Sequence, residues 1–358
     1  MSNFKRPRKL QRGDRIAVVS PSWGGPNVFP AIYETGLEKM RAQLHLEPVE
    51  FPTARMAPDR LAQNPKLRAD DINAAFADES IAGIFVSIGG DDSARILPYL
   101  NTELILANPK LLLGYSDTTT LLSYLSSQGL VTFHGPTIMA GIAQIESFGD
   151  QYKAHLVRLL FSSGQTYEYA PYQAYAEGYP DWAIPENLGK VNVLTQNSGW
   201  DWLQKGEDKQ GYFWGGCIEV LEFLKGTDFW PARSFFDDKF LLLETSEEVP
   251  TPDQVMRILR NYGLQTILDR IQGLVIGRPR GYSEEQKLAL RQVVKQIVVD
   301  EYGRSDIPII LNFDIGHTDP QFIVPFGVKA LISSANARVA LVEPIFRKNE
   351  PEGNSNAF

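Results

Sequence analysis

A single cysteine, Cys217, stands in a chain of 358 residues, so no internal disulfide can close. Histidine is scarce as well: His45, His134, His155 and His317 are the only four. They are scattered without a ligand spacing such as HxxxH, which argues for a metal-free mechanism. No apolar run approaches the ~20 residues of a bilayer-spanning helix. The first apolar stretch, Ile16–Val19, is too short for the core of a signal peptide. A basic excess is also missing, since 35 Lys and Arg face 43 Asp and Glu, a formal charge of −8. That balance excludes a long-range field that gathers nucleic acid or anionic membrane. These absences point to a cytoplasmic protein with a small-molecule partner, and to no nucleic acid and no membrane among its ligands.

What is present is ordinary globular composition, 43% hydrophobic and 22% charged. The length exceeds what one core usually fills, so two domains are expected. Up to about residue 160, short apolar runs alternate with amphipathic stretches, the pattern of a parallel sheet covered by helices. Ile16–Ser20, Ile81–Ile88, Lys110–Tyr115 and Leu130–Phe133 read as its strands. Between Phe161 and Lys190 the periodicity gives way to Tyr, Pro and Gly. The second half mixes strand-like runs, among them Phe240–Leu243 and Pro308–Leu311, with helical stretches such as Pro252–Tyr262. The expected organisation is therefore an N-terminal α/β domain over 1–165 and a linker over 166–190. A C-terminal mixed α/β domain over 191–346 and a mobile polar tail over 347–358 follow. The basic cluster Lys5, Arg6, Arg8 and Lys9 reads as a solvated N-terminal tail.

Three loops carry candidate chemistry. In Leu111-Leu112-Leu113-Gly114-Tyr115-Ser116-Asp117-Thr118-Thr119 an apolar strand enters a helix through a tight turn with a serine at its apex. Such an elbow lifts a hydroxyl out of the sheet edge, and the next amide, that of Asp117, can face a developing oxyanion. Ser116 is equally suited to capping the following helix. The Ile88-Gly89-Gly90-Asp91-Asp92-Ser93 loop follows another strand, and its glycines allow close backbone approach to a substrate. A serine needs a base, and the base needs an orienting group. His317 lies in a Gly- and Pro-flanked loop after a strand, with His134 as the competing choice; His45 and His155 are expected on the surface. Glu244 ends the apolar run Phe240–Leu243, where a strand delivers a side chain to a sheet edge. The aromatic stretch Trp200–Trp214 suits either a core or a stacking surface for a base.

Taken together these segments resemble the LD-carboxypeptidase family of serine peptidases. The likeness rests on Gly13-Asp14-Arg15-Ile16, Ser20-Pro21-Ser22, the Gly-Gly-Asp-Asp-Ser loop, Gly-Tyr-Ser-Asp-Thr-Thr and His134-Gly135-Pro136. It continues through Gly215-Gly216, Lys225-Gly226-Thr227, Glu244-Thr245-Ser246-Glu247-Glu248, Ile276-Gly277-Arg278 and Gly316-His317-Thr318-Asp319-Pro320. The loop, the elbow and the length look most like the MccF-like, microcin C self-immunity branch. The resemblance implies a flavodoxin- or glutaminase-like first domain and a partly barrel-like second one. It implies Ser116 as nucleophile, His317 as base and Glu244 as its orienting acid, with Gly89, Gly90 and Asp117 forming an oxyanion hole. It also implies a homodimer that cleaves a murein L,D-peptide or a peptidyl- or aminoacyl-nucleotide, beside a free carboxylate. The chain departs from the pattern at Cys217, where members commonly carry Asn, and at Val249, where Lys is frequent. Two other readings compete: a thiol amidohydrolase using Cys217, and a non-catalytic two-domain binding protein.

Overall fold

The computed structural model describes residues 4–162, 164 and 166–347. Its first sheet is built from β1 (Arg15–Val19), β2 (Glu47–Glu50), β3 (Ile81–Val86), β4 (Leu111–Gly114) and β5 (Thr132–His134). These five are parallel in the order β2-β1-β3-β4-β5. Every residue of β3 and β4 is buried, as expected of central strands covered on both faces by helices. β2 is an edge strand, and its Glu-Pro-Val-Glu sequence gives no apolar run by which to foresee it. The stretch Ser93–Tyr99 is a 3₁₀ helix; Pro98 inside it lacks the amide an α-turn would use.

The expected linker itself carries β6 (Tyr167–Tyr169) and β7 (Ala174–Glu177). Then come β8 (Thr195–Gln196), β9 (Asp201–Gln204), β10 (Lys209–Cys217), β11 (Lys239–Glu244), β12 (Gly273–Gly277) and β13 (Ile309–Phe313). The chain closes with β14 (Thr318–Asp319), β15 (Val324–Phe326), β16 (Lys329–Ser333) and β17 (Arg338–Leu341). The second sheet runs β6-β17-β16-β10-β11-β12-β13-β9, a parallel centre of β10 to β13 flanked by antiparallel edges. The fold is thus mixed α/β with a parallel-dominated first sheet and a large mixed second one. β15 belongs by position to the second half, yet it pairs antiparallel with β5 and completes the first sheet.

The two sheets are joined by direct contact. The helix Thr119–Ser127, which follows the Ser116 turn, lies against β10. Ser123 Oγ donates to the Gly215 carbonyl at 2.6 Å, and Trp214 Nε1 donates to the Ser123 carbonyl at 3.0 Å. The Cys217 amide donates to Thr119 Oγ1 at 3.0 Å. The approach needs Gly216, because a Cβ there would sit 2.5 Å from Thr119 Oγ1, and its φ of +125° is unfavourable for other residues. One large apolar core spans both sheets, and a second fills the space between β10 to β13 and the helices Pro252–Leu264 and Glu284–Val294.

The N-terminal basic cluster is not a free tail. Lys5 forms a parallel bridge with Leu130, Arg8 binds both Asp14 carboxylate oxygens, and Arg6 pairs with Glu343 at 2.6 Å. Acceptors on folded segments hold the two arginines, and composition alone does not reveal them. The Arg347 amide still reaches the Pro7 carbonyl, whereas residues 348–358 of the expected tail lie outside the described residues.

Gly216→Ala is expected to destabilise the protein by roughly 2–4 kcal/mol, combining overpacking with backbone strain. Gly226→Ala, at φ +78° with nothing within 4 Å of its Cβ position, carries backbone strain alone. Its loss should be about 1 kcal/mol. Urea unfolding of the two variants checks the difference, and equal losses would contradict the contact described for β10.

Candidate active site

β4 ends at Gly114, and Ser116 follows at φ +58° in a 3₁₀ turn that opens the helix Thr119–Ser127. A left-handed serine is a strained residue, and such strain persists only where its surroundings fix it. The fixing group here is Asp117. It is fully buried, and its Oδ2 accepts from the amides of Asp92 (3.0 Å) and Ser93 (2.8 Å), while Ser93 Oγ donates to its carbonyl at 2.6 Å. The elbow and the Gly89-Gly90 loop are therefore one unit. Below them the buried Arg68 guanidinium binds the Pro21 carbonyl and Asp92 Oδ2. Gly89 faces the serine so closely that a Cβ would lie 2.9 Å from Ser116 Oγ and 3.6 Å from the Asp117 amide nitrogen. Gly90, at φ +148°, leaves no room for a Cβ beside Ser22 Oγ and Trp23.

Glu244, the last residue of β11, is wholly buried. Two glycines leave space for it: a Cβ on Gly277 would lie 2.9 Å from Glu244 Cβ, and one on Gly316 would lie 2.6 Å from its Oε2. That oxygen bonds His317 Nδ1 at 2.7 Å. The other ring nitrogen, Nε2, lies 3.0 Å from Ser116 Oγ. The His317 loop is tied down by the buried Asp314, whose carboxylate accepts from Arg278 (2.7 Å) and Trp200 Nε1 (2.8 Å). The structure thus brings Ser116, His317 and Glu244 into one hydrogen-bonded chain, and sets Gly89 and Asp117 beside the serine.

A fourth group, missed from the sequence, joins them. Glu247 Oε2 lies 2.9 Å from the same His317 Nε2, with 56% of its side chain exposed. Its signal was the repeated acid in Glu-Thr-Ser-Glu-Glu, which is indistinguishable in sequence from a solvated turn. Burial alone would push His317 down, but the Glu244 charge and bond, and then those of Glu247, push it up to about 10. Glu247, bonded to His317, is held down at about 2. Glu247 Oε2 and Ser116 Oγ thus approach the same ring nitrogen.

The remaining histidines and the cysteine fall elsewhere. His134 is buried on β5, with neither ring nitrogen bonded to any described residue, and burial drives it down to about 3. His155, expected on the surface, is 4% exposed; Tyr167 OH bonds its Nδ1, and Nε2 accepts the Ile323 amide. Its helix packs that face inward under the Tyr169–Phe322 aromatic cluster, which a single helical period does not reveal. Cys217 is fully buried, its Sγ donates to Glu219, and burial with the Glu244 and Glu219 charges pushes the thiol up. A thiol held neutral in this way is a poor nucleophile.

Ser116, His317 and Glu247 line a cleft of about 410 Å³ whose aromatic walls are Trp23, Tyr115, Tyr179 and Trp182. The aromatics of the Trp200–Trp214 stretch do not line it. Trp214 packs in the second core, and Trp200 supports Asp314. Val249 is turned onto Gly281, while its neighbour Glu248 faces the cleft.

With this geometry in view, residues 16–135 match the LD-carboxypeptidase N-terminal domain and residues 210–332 the LD-carboxypeptidase C-terminal domain. A putative carboxypeptidase of Streptomyces coelicolor is 30% identical over 96% of this chain and 98% of its own. The microcin C7 self-immunity protein MccF of Escherichia coli is 26% identical over 78% of each chain. The crystal structure of an MccF-like protein from Streptococcus pneumoniae, in complex with AMP, superposes with a TM-score of 0.80 at 29% identity. That match covers 91% of this chain and 98% of the other.

Two outcomes are expected. Gly89→Ala should lower kcat by roughly a hundredfold, the scale of a lost oxyanion contact, with little change in thermal midpoint. Glu247→Gln removes a negative charge from beside His317, so the imidazole's pKa falls and the neutral base persists to lower pH. The acidic limb of kcat/KM should therefore move down by roughly one pH unit or more. Asp319, buried and pushed up to about 6, titrates nearby, and Asp319→Asn run in parallel separates its contribution.

Proposed function

The chain belongs to the LD-carboxypeptidase family as a serine-type, MccF-like hydrolase, and from that premise we propose that Ser116, His317 and Glu244 form its catalytic triad. The observation that carries this reading is the unbroken chain of bonds from Ser116 Oγ through His317 to Glu244 at the floor of the cleft. Ser116 Oγ attacks the scissile carbonyl while His317 Nε2 takes its proton. Glu244, accepting from Nδ1, holds the ring in register and stabilises the imidazolium. The oxyanion turns toward the Asp117 amide and the Gly89-Gly90 backbone. His317 then gives its proton to the departing amine, and a water activated by the same base releases the acyl group from Ser116.

The substrate is a compact amide-linked molecule, either a murein-type L,D-peptide or an aminoacyl or peptidyl nucleotide. The nucleotide class draws support from the AMP complex of the pneumococcal relative and from the aromatic faces of Trp23 and Trp182 in the cleft. A homodimer in the cytoplasm belongs to the same reading. No helix among the described residues is long and apolar enough to cross a membrane.

Incubation with an L,D-linked muropeptide and with an aspartyl-adenylate analogue, followed by mass spectrometry, should show cleavage of one of them. Ser116→Ala should remove that activity by roughly 10⁴-fold or more. Cys217→Ala should leave the chemistry in place. Hydrolysis that survives Ser116→Ala would overturn the triad.

A further inference from the structure

β12 leaves its sheet through Arg278, Pro279 and Arg280, and the two arginines have opposite fates. Arg278 is buried and fully engaged: Nη2 donates to Asp314 Oδ1 at 2.7 Å, Nη1 to Thr318 Oγ1 at 3.3 Å, and the guanidinium lies 4.1 Å over the Tyr175 ring. Arg280 forms no ion pair with a described residue, and it lines the cleft that holds Ser116 and His317. Among the described residues lining that cleft it is the only lysine or arginine, facing Asp91, Glu247 and Glu248.

The guanidinium is seated on backbone, within the electrostatic reach of Glu247 and Asp319 but in no ion pair with a described residue. Gly178, at φ +67°, lies beneath it; a Cβ there would fall 2.6 Å from Arg280 Nη2 and 3.1 Å from Cζ. The adjacent Glu177 carboxylate accepts the Gly281 amide at 2.9 Å, so the 177–178 and 280–281 segments are pinned together. Tyr179, next in the chain, lines the same cleft. Beyond Ser116 the cleft continues into an acidic recess of about 70 Å³ bounded by Asp91, Glu219, Glu247 and Glu248. Arg280 does not line that recess, so an anion entering the site is repelled from one end and drawn to the other. A guanidinium presents a planar fork of donors matched to the paired oxygens of a carboxylate or phosphoryl group.

We propose that Arg280 receives the anionic group on the leaving side of the scissile amide, a terminal carboxylate or the phosphoryl-type anion of a nucleotide conjugate. This rests on Ser116 being the nucleophile. Arg280 then orients the substrate so that its acyl carbon lies over Ser116, and it selects for substrates that end in an oxyanion.

The test compares an L,D-linked tetrapeptide bearing a free carboxylate with its C-terminal carboxamide, and an aspartyl-adenylate analogue with its uncharged ester-linked counterpart. Wild type, Arg280→Gln, Arg280→Lys and Gly178→Ala are assayed on each. Arg280→Gln should lower kcat/KM for the anionic member roughly ten- to hundredfold, mostly through KM, and leave the neutral member within about twofold. Arg280→Lys should recover part of the loss. Gly178→Ala, which displaces the guanidinium but keeps its charge, should reproduce the selective defect. The pair that shows this defect identifies the source of the anion. An equal loss on both members, or an undiminished preference for the anion in Arg280→Gln, would overturn the proposal. Calorimetric binding to Ser116→Ala, with and without Arg280→Gln, reads the same preference without turnover. Wild-type hydrolysis that persists in Ser116→Ala defeats the triad instead, so the two failures are distinguishable.

Discussion

The seating of the helix Thr119–Ser127 on β10 is the contact from which the site's geometry follows. Ser116 precedes that helix by one short turn, and Glu244 stands beside Cys217 in the parallel register of β10 and β11. The bonds from the Cys217 amide to Thr119 and from Ser123 to the Gly215 carbonyl therefore set the distance between the two halves of the hydrogen-bonded chain. A helix can approach a strand this closely only where the strand lacks a side chain on the facing side, which Gly216 provides at φ +125°. β15 adds a second brace by crossing from the His317 side to pair with β5. The serine and the imidazole meet in a scaffold held on both sides.

Electrostatics then divides the work between two carboxylates on one ring. Glu244 is sealed in the interior and reaches Nδ1, so it fixes ring orientation and favours the protonated ring. Glu247 approaches Nε2 from the solvent side, the position the serine hydroxyl also needs. The interior acid thus sets geometry, while both acids push the imidazole up, Glu244 more than Glu247. Arg280, in no ion pair with a described residue at the wall of an otherwise acidic cleft, gives that cleft a polarity along its length. A substrate's charge distribution can be read against it.

The legible part of the molecule is the part with local causes. The central strands β1, β3, β4, β11, β12 and β13 are short apolar runs bounded by turn residues, and burial on both faces leaves such runs few alternatives. The glycine-framed loops at Ser116, Gly89-Gly90 and His317 were visible because tight turns and close approaches demand residues of that kind. β2 and the strands at the second sheet's edges were hidden, since edge strands need little hydrophobic content. His155 and Arg6 were misplaced because their partners, Ile323 and Glu343, come from folded neighbours that no short window contains.

By itself, then, the sequence determined an α/β molecule with a serine on a turn, a histidine in a loop and an acid at a strand end, each dictated by backbone geometry within a few residues. Tertiary structure alone decided that these three meet and that Asp117 clamps the glycine loop to the elbow. It also decided that Glu247 shares the imidazole, and that Arg280 lines the cleft while Arg278 is consumed by Asp314. Charge–charge and hydrogen-bond partners are chosen by distance in space, and residues some two hundred positions apart acquire a distance only when the sheets pack.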